Sequence, residues 1–241
     1  MDPYVYECSN VLKNKLDIRD ERELITIEAQ LLIASILEID EVFSGIDFFH
    51  VSSLQKTHYH LFQFVFEWAG EFRTVNIYKG EEVLGGASIS YSDTKCIQKD
   101  LELIFDCASK VKWSISNNQL APNLSKFMTD IWRVHPYREG NTRTVSIFIK
   151  LFAEEQGVQF DEQLLSRNAG YVRNALVLAA VDESPEPEHL LKIIKGALGL
   201  AKTGPIPKQK AIGEKYKTIG QYQVSSYEEK PFIIEKKLNG D

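Results

Sequence analysis

His135-Pro136-Tyr137-Arg138-Glu139-Gly140-Asn141-Thr142-Arg143 brings an imidazole, a carboxylate, a glycine turn and two guanidinium groups into nine consecutive residues. Pro136 fixes its own φ, and Gly140 supplies a backbone that reaches φ > 0 without a clashing Cβ, so the chain can close tightly around a bound anion. A helical pattern follows at once, with Val145, Phe148, Ile149 and Phe152 recurring at helical spacing up to Gly157. Asn141, Thr142 and Arg143 then form the first turn of a buried helix. Its N–H groups, without acceptors inside the helix, and its macrodipole suit a polyphosphate.

The residue types divide the chemistry. His135 is the side chain of this stretch whose unperturbed pKa, about 6.5, lets it take a proton near neutrality, which makes it the candidate general base for a hydroxyl nucleophile. Glu139 offers the hard oxygen that Mg²⁺ combines with substrate phosphates. Arg143 would neutralise charge on a leaving pyrophosphate. Taken singly, the same residues suit a polar loop between two helices, and a lone His is more often structural than catalytic. Taken as a unit, the balance reverses.

Outward from this stretch the pattern is mainly helical. Apolar residues at helical spacing mark 24–37 and 53–68, the latter through Leu54, Leu61, Phe62, Val65 and Phe66; helices are also expected over 93–110, 124–134, 161–181 and 188–198. Residues 73–91 differ. Thr74, Val75, Ile77 and Tyr78 favour a strand, Gly80 and Gly85-Gly86 mark turns, and 87–91 can return, so a β-hairpin is the simplest reading. From Lys202 the texture changes again, through the breaker cluster Gly204-Pro205-Ile206-Pro207 into a Lys-rich stretch with short strand-like runs at 224–227 and 232–234. The expected organisation is one mainly α domain over 1–200 with a hairpin, and an irregular C-terminal tail or small accessory element over 201–241.

Composition narrows the classes. A chain of 241 residues is long enough for one substantial core. A net charge of −6 argues against nonspecific nucleic-acid binding, and no specific nucleic-acid partner is expected. Cys8, Cys96 and Cys107 form no CxxC pair, so neither a zinc site nor a disulfide framework is expected. The opening has no basic-then-apolar leader, and apolar runs such as 175–181 are too short to span a bilayer, so no membrane role and a cytoplasmic location are expected. His58 and His60 lie two apart on a helix and face different ways, which argues against a paired metal site and for surface or groove positions. Trp68 is assigned to packing and Arg73 to structural hydrogen bonding.

The nine-residue unit resembles the Fic motif, His-Pro-Phe-x-Asp/Glu-Gly-Asn-Gly/Lys-Arg, at seven of its eight specified positions when Tyr137 stands for the aromatic. Asp2-Pro3-Tyr4-Val5-Tyr6 and Asn10-Val11-Leu12-Lys13-Asn14-Lys15-Leu16 are similar to the opening of many Fic proteins. Glu67-Trp68-Ala69-Gly70-Glu71-Phe72-Arg73-Thr74-Val75-Asn76-Ile77 is similar to their lead into a target-docking flap. The resemblance covers roughly residues 1–200. It implies AMPylation, the transfer of AMP from ATP, with Mg²⁺, to a Ser, Thr or Tyr hydroxyl of a target protein. In that mechanism His135 is the base and Glu139 the metal ligand. Gly140, Asn141 and Thr142 hold the α-phosphate, and Arg143 steadies the leaving group. Thr74, Val75, Asn76 and Ile77 dock the target backbone, and Tyr171, Arg173 and Asn174 lie where related proteins line the nucleotide pocket.

Two departures qualify the resemblance. Thr142 replaces Gly or Lys, and Ser146 stands where many relatives carry a second arginine that pairs with an inhibitory glutamate. Only Ser184 and Ser225 have a Glu four residues on, the first amid Pro185 and Pro187 and the second in the tail. Control by a separate antitoxin-like partner, as in a toxin–antitoxin pair, would therefore work without that glutamate–arginine contact. A Fic-fold transferase using another nucleotide or phosphate-containing donor, and a weakly active nucleotide-binding scaffold, remain alternatives.

Overall fold

The structure of the protein, a computed structural model, describes residues 2–200. The expected tail, with its strand-like runs at 224–227 and 232–234, lies outside the described residues. Helices α1 (Glu21–Leu37), α2 (Ile39–Val42), α3 (Val51–Phe62), α4 (Ile97–Ser109), α5 (Leu120–Val134), α6 (Asn141–Glu155), α7 (Glu162–Arg167), α8 (Ala169–Ala180) and α9 (Glu188–Ala197) carry the fold. Local chemistry sets several of their starts. Asp20 Oδ1 accepts from Glu23 N at 2.9 Å to open α1, and His50 Nδ1 accepts from Ser52 N at 3.2 Å to open α3.

Helices α5 and α6 form the centre, with α3 and α4 on one side and α8 and α9 on the other. Val145, Phe148, Ile149 and Phe152 are all fully buried, as their spacing predicts. Phe127, Phe148 and Phe152 make an aromatic seam between α5 and α6, with Phe127 and Phe152 centroids 5.0 Å apart. Each such side chain contributes about 1.5–3 kcal/mol by leaving water, so this seam fixes the two helices whose facing ends hold the loop 135–140.

Some boundaries differ from the sequence reading. α5 starts at Leu120 because Pro122 falls in its first turn, where a proline forfeits no intrahelical bond. α3 ends at Phe62, and tight turns through Val65 and Phe66 keep both side chains in the core. The 161–181 segment divides at Asn168 into α7 and α8.

The hairpin at 73–91 is the main difference: no strand runs there among the described residues, where Tyr78 alone carries a bridge assignment. The chain does reverse, through the single 3-10 turn Glu82–Leu84 and the left-handed Gly85 and Gly86, with Glu81 N donating to Ala87 O and Gly86 N to Glu81 O, both at 2.9 Å. Side chains replace the ladder. The Arg73 guanidinium bonds the carbonyls of Val75 (2.8 Å) and Ser92, and Lys79 N donates to Ser88 Oγ at 3.2 Å. An isolated antiparallel β-bridge joins Val5 and Leu12 in the N-terminal segment.

Candidate active site

Helix α5 ends in His135, whose φ of 51° lies in the left-handed region, and α6 begins after Gly140 at φ 78°. These two reversals turn the chain through one short loop. Asn141 closes it: its Oδ1 accepts from Tyr137 N at 2.9 Å and its Nδ2 donates to Tyr137 O at 2.8 Å. The Asn141 side chain thus shapes the loop, and the first backbone amides of α6, which lack acceptors inside the helix, are groups able to receive an anion.

His135 is fully buried. Its ring lies 4.3 Å from that of Tyr91 and meets Trp132 edge-on at 5.4 Å, while Nδ1 faces the Trp132 carbonyl at 3.3 Å. A proton on Nδ1 directed at that carbonyl leaves Nε2 as the basic nitrogen, the arrangement a general base requires. The backbone here is held from the side. Arg73 N donates to Pro136 O and Arg73 Nε to His135 O, both at 2.8 Å. Burial pulls the Arg73 guanidinium down to about 10, so it stays charged at neutral pH while fastening the His135 backbone to residues 75 and 92.

Glu139 and Arg143 sit one helical turn apart. The Glu139 carboxylate accepts from Gly140 N at 2.8 Å and from Arg143 Nη2 at 3.1 Å, and Arg143 Nη1 lies 2.5 Å from Glu28 of α1. Among the described residues no group of three metal-ligating side chains comes together. Glu139 is a single carboxylate, and one carboxylate completed by substrate phosphates is a donor set that Mg²⁺ accepts.

His58 corrects the expectation of a surface or groove position, and His60 with it: both are buried. His58 Nδ1 accepts from Gly70 N at 2.8 Å, Nε2 donates to Glu139 O at 3.1 Å, and the ring stacks on Tyr137 at 3.8 Å. Desolvation lowers its pKa from 6.5 to about 3, so the folded protein holds it neutral. Unfolded chains bind that proton near pH 6.5. The stability it contributes is complete above that value and is lost as pH falls towards 3, with a slope of up to one proton, about 1.4 kcal/mol per pH unit. Urea unfolding from about pH 7 to about pH 4 should show a shallower slope in His58→Gln than in the wild type. Equal slopes would remove His58 from the acid response.

A family model described as Fic/DOC matches residues 48–153, from the approach to α3 into α6. A Sinorhizobium fredii protein named as a probable protein adenylyltransferase is 31% identical over 167 residues, which is 68% of this chain and 81% of the relative. This chain belongs to the Fic/DOC family. A second relative, from Escherichia coli K12 and similarly named, is 25% identical over 70% of this chain and 80% of its own length. A crystal structure of the Bartonella effector BepC, from Bartonella tribocorum and with bound AMPPNP, shares the fold at a TM-score of 0.67 and 20% identity, over 80% of this chain and 95% of that one.

Within the Fic fold the departures at 137 and 142 have local partners or costs. Thr142 Oγ1 accepts from the indole Nε1 of buried Trp132 at 2.9 Å, a bond neither Gly nor a Lys ammonium could accept. Tyr137 carries a hydroxyl that finds no hydrogen-bond partner in full burial. Tyr137→Phe should raise stability by roughly 1 kcal/mol, read as a higher denaturation midpoint at unchanged m-value. A lower midpoint would mean that the hydroxyl is satisfied.

The remaining expected residues divide. Thr74 N donates to Tyr4 Oη at 3.0 Å, Asn76 accepts from Thr94 N at 2.9 Å, and Ile77 is buried. Tyr171 is exposed and bonds His189 Nδ1 at 3.1 Å on α9, and Asn174 is exposed on α8. Of the three α8 residues considered, Arg173 is the one with a bond into the flap, to Glu81. Sequence reasoning missed Glu28, His58 as a brace, Glu81 and Tyr91. Glu28 had left a signal: it occupies a buried-face position between Leu24 and Leu32, where a carboxylate needs a partner.

Proposed function

We propose that this chain is a protein adenylyltransferase, moving AMP from ATP to a Ser, Thr or Tyr hydroxyl of a target protein. The observation that carries this reading is the buried His135, its Nδ1 turned to the Trp132 carbonyl, at the start of a glycine loop that ends on the amides of α6. His135 Nε2 takes the proton of the incoming hydroxyl, whose oxygen bonds the α-phosphorus as the bond to the bridging oxygen breaks and pyrophosphate leaves. The first amides of α6 receive the α-phosphate oxygens, and Arg143 meets the charge on the leaving group. Magnesium held by Glu139 and the phosphates would supply further charge neutralisation.

AMPPNP in the BepC structure supports an adenine nucleotide as donor. Docking of the target along 74–77 by strand addition is supported by the alternation here: Arg73, Ile77 and Lys79 are buried while Thr74 and Asn76 are exposed. On this reading the catalytic unit is 1–200 and the reaction is cytoplasmic. Free, exposed Cys8, Cys96 and Cys107 fit a reducing compartment, and no helix among the described residues is long and apolar enough to cross a membrane. An antitoxin-like partner would restrain it without the arginine that Ser146 replaces. Incubating the protein with cell lysate, ATP and magnesium, then mapping modified peptides by mass spectrometry, tests the activity. Adenylylated hydroxyl side chains are expected; addition of a bare phosphate would favour another donor chemistry.

A further inference from the structure

Residues that the chemistry above does not use form a continuous path to the base. Arg173 on α8 places Nη2 at 2.9 and 3.0 Å from the two oxygens of Glu81. Glu81 Oε1 also accepts from Tyr91 Oη at 3.1 Å, and the Tyr91 ring lies 4.3 Å from the ring of His135, tilted by 33°. Glu81 is 4% exposed, so its carboxylate is held away from water by these two donors. Its placement is a product of the backbone. Glu81 is the residue on which the flap reversal closes, receiving Leu84 N and Gly86 N on its carbonyl, and the 3-10 turn it starts packs against α8. The other side of Tyr91 is fixed as well, since Arg73 holds the carbonyl of adjacent Ser92 and that of His135 together.

We propose that the Glu81–Arg173 pair is a latch that closes the flap on α8 and seats Tyr91 against His135, making Glu81, Arg173 and Tyr91 positioning residues for proton transfer. The pair suits a latch because, with Arg173 removed, the Glu81 carboxylate at 5% side-chain exposure loses its cation in a dry site, and the closed flap loses part of its advantage over an open one. His135 sits on a single left-handed residue at a helix end, and its ring direction depends on what packs against it. Tyr91 and Trp132 supply that packing from two sides.

The latch rests on the adenylyltransferase reading for its consequence in rate, and its structural content is testable without turnover. Glu81→Gln, Arg173→Gln and the double variant are compared with wild type. Hydrogen exchange of amides 79–91 should quicken in all three. The His135 ring protons, one of five histidine sets in the chain, should move towards their random-coil shifts as the ring current of Tyr91 is lost. In transfer assays each single variant should lose about tenfold or more in kcat with nucleotide KM little changed, and the double variant should be no worse than either single. Tyr91→Phe keeps the ring and drops the bond to Glu81, and should show the same histidine shift in weaker form. Unchanged exchange and unchanged His135 resonances would overturn the latch whatever the enzyme transfers. So would losses that add in the double variant, or an Arg173→Gln effect confined to nucleotide KM, which would make Arg173 a nucleotide ligand. A latch confirmed by exchange and resonance in a wild type that transfers nothing would instead count against the adenylyltransferase reading.

Discussion

His135→Ala lowers AMP transfer by roughly 100-fold to 10,000-fold, the range expected for loss of a positioned general base, with nucleotide affinity nearly intact. The fold should survive, because the ring's polar bond to Trp132 O is long at 3.3 Å, while the left-handed backbone is held independently by Arg73 on the carbonyl. His135→Asn is the companion variant, since Asn tolerates φ > 0 better than Ala and separates lost basicity from backbone strain. Transfer at wild-type rate by a folded His135→Ala protein would contradict the assignment of the base.

Gly140→Ala should damage stability and activity together. A Cβ there would lie 2.5 Å from two ring carbons of Phe62, which is fully buried, and the residue sits at φ 78°. Overpacking and a left-handed alanine together cost about 2–5 kcal/mol, a large part of the roughly 5–15 kcal/mol that holds a typical domain together. Relief of the clash would push the loop off Phe62 and move the first amides of α6 away from the phosphate site. A markedly lowered denaturation midpoint and near-complete loss of transfer are expected. A variant melting like wild type would show that Phe62 yields without cost.

The central helices were legible because their period is long and their apolar faces are clear. Val145, Phe148, Ile149 and Phe152 announce α6, and Pro136 and Gly140 before it announce the tight loop that joins it to α5. The grouping of His135, Glu139 and Arg143 was legible for a simpler reason: the residues lie within nine positions of one another in the chain. What was not legible is long-range. His58 braces Glu139 from 81 positions away, Asp2 pairs with Arg138 across 136, and Glu81 meets Arg173 across 92; no local period records such contacts. The expected hairpin ladder is absent among the described residues of 73–91 for a related reason. Thr74, Val75, Ile77 and Tyr78 have the propensity of a strand, but the bonds that would form a ladder are taken by the Arg73 guanidinium and the Ser88 hydroxyl.

The identity of the transferred group tests the account most directly. ATP labelled at the α-phosphorus and ATP labelled at the γ-phosphorus are incubated in parallel with the protein, magnesium and lysate, with His135→Ala as control. The account predicts protein-bound label from the α-labelled nucleotide alone, with pyrophosphate released and no label retained in the control. Label arriving from the γ-position, or α-label bound equally by the control, would contradict it.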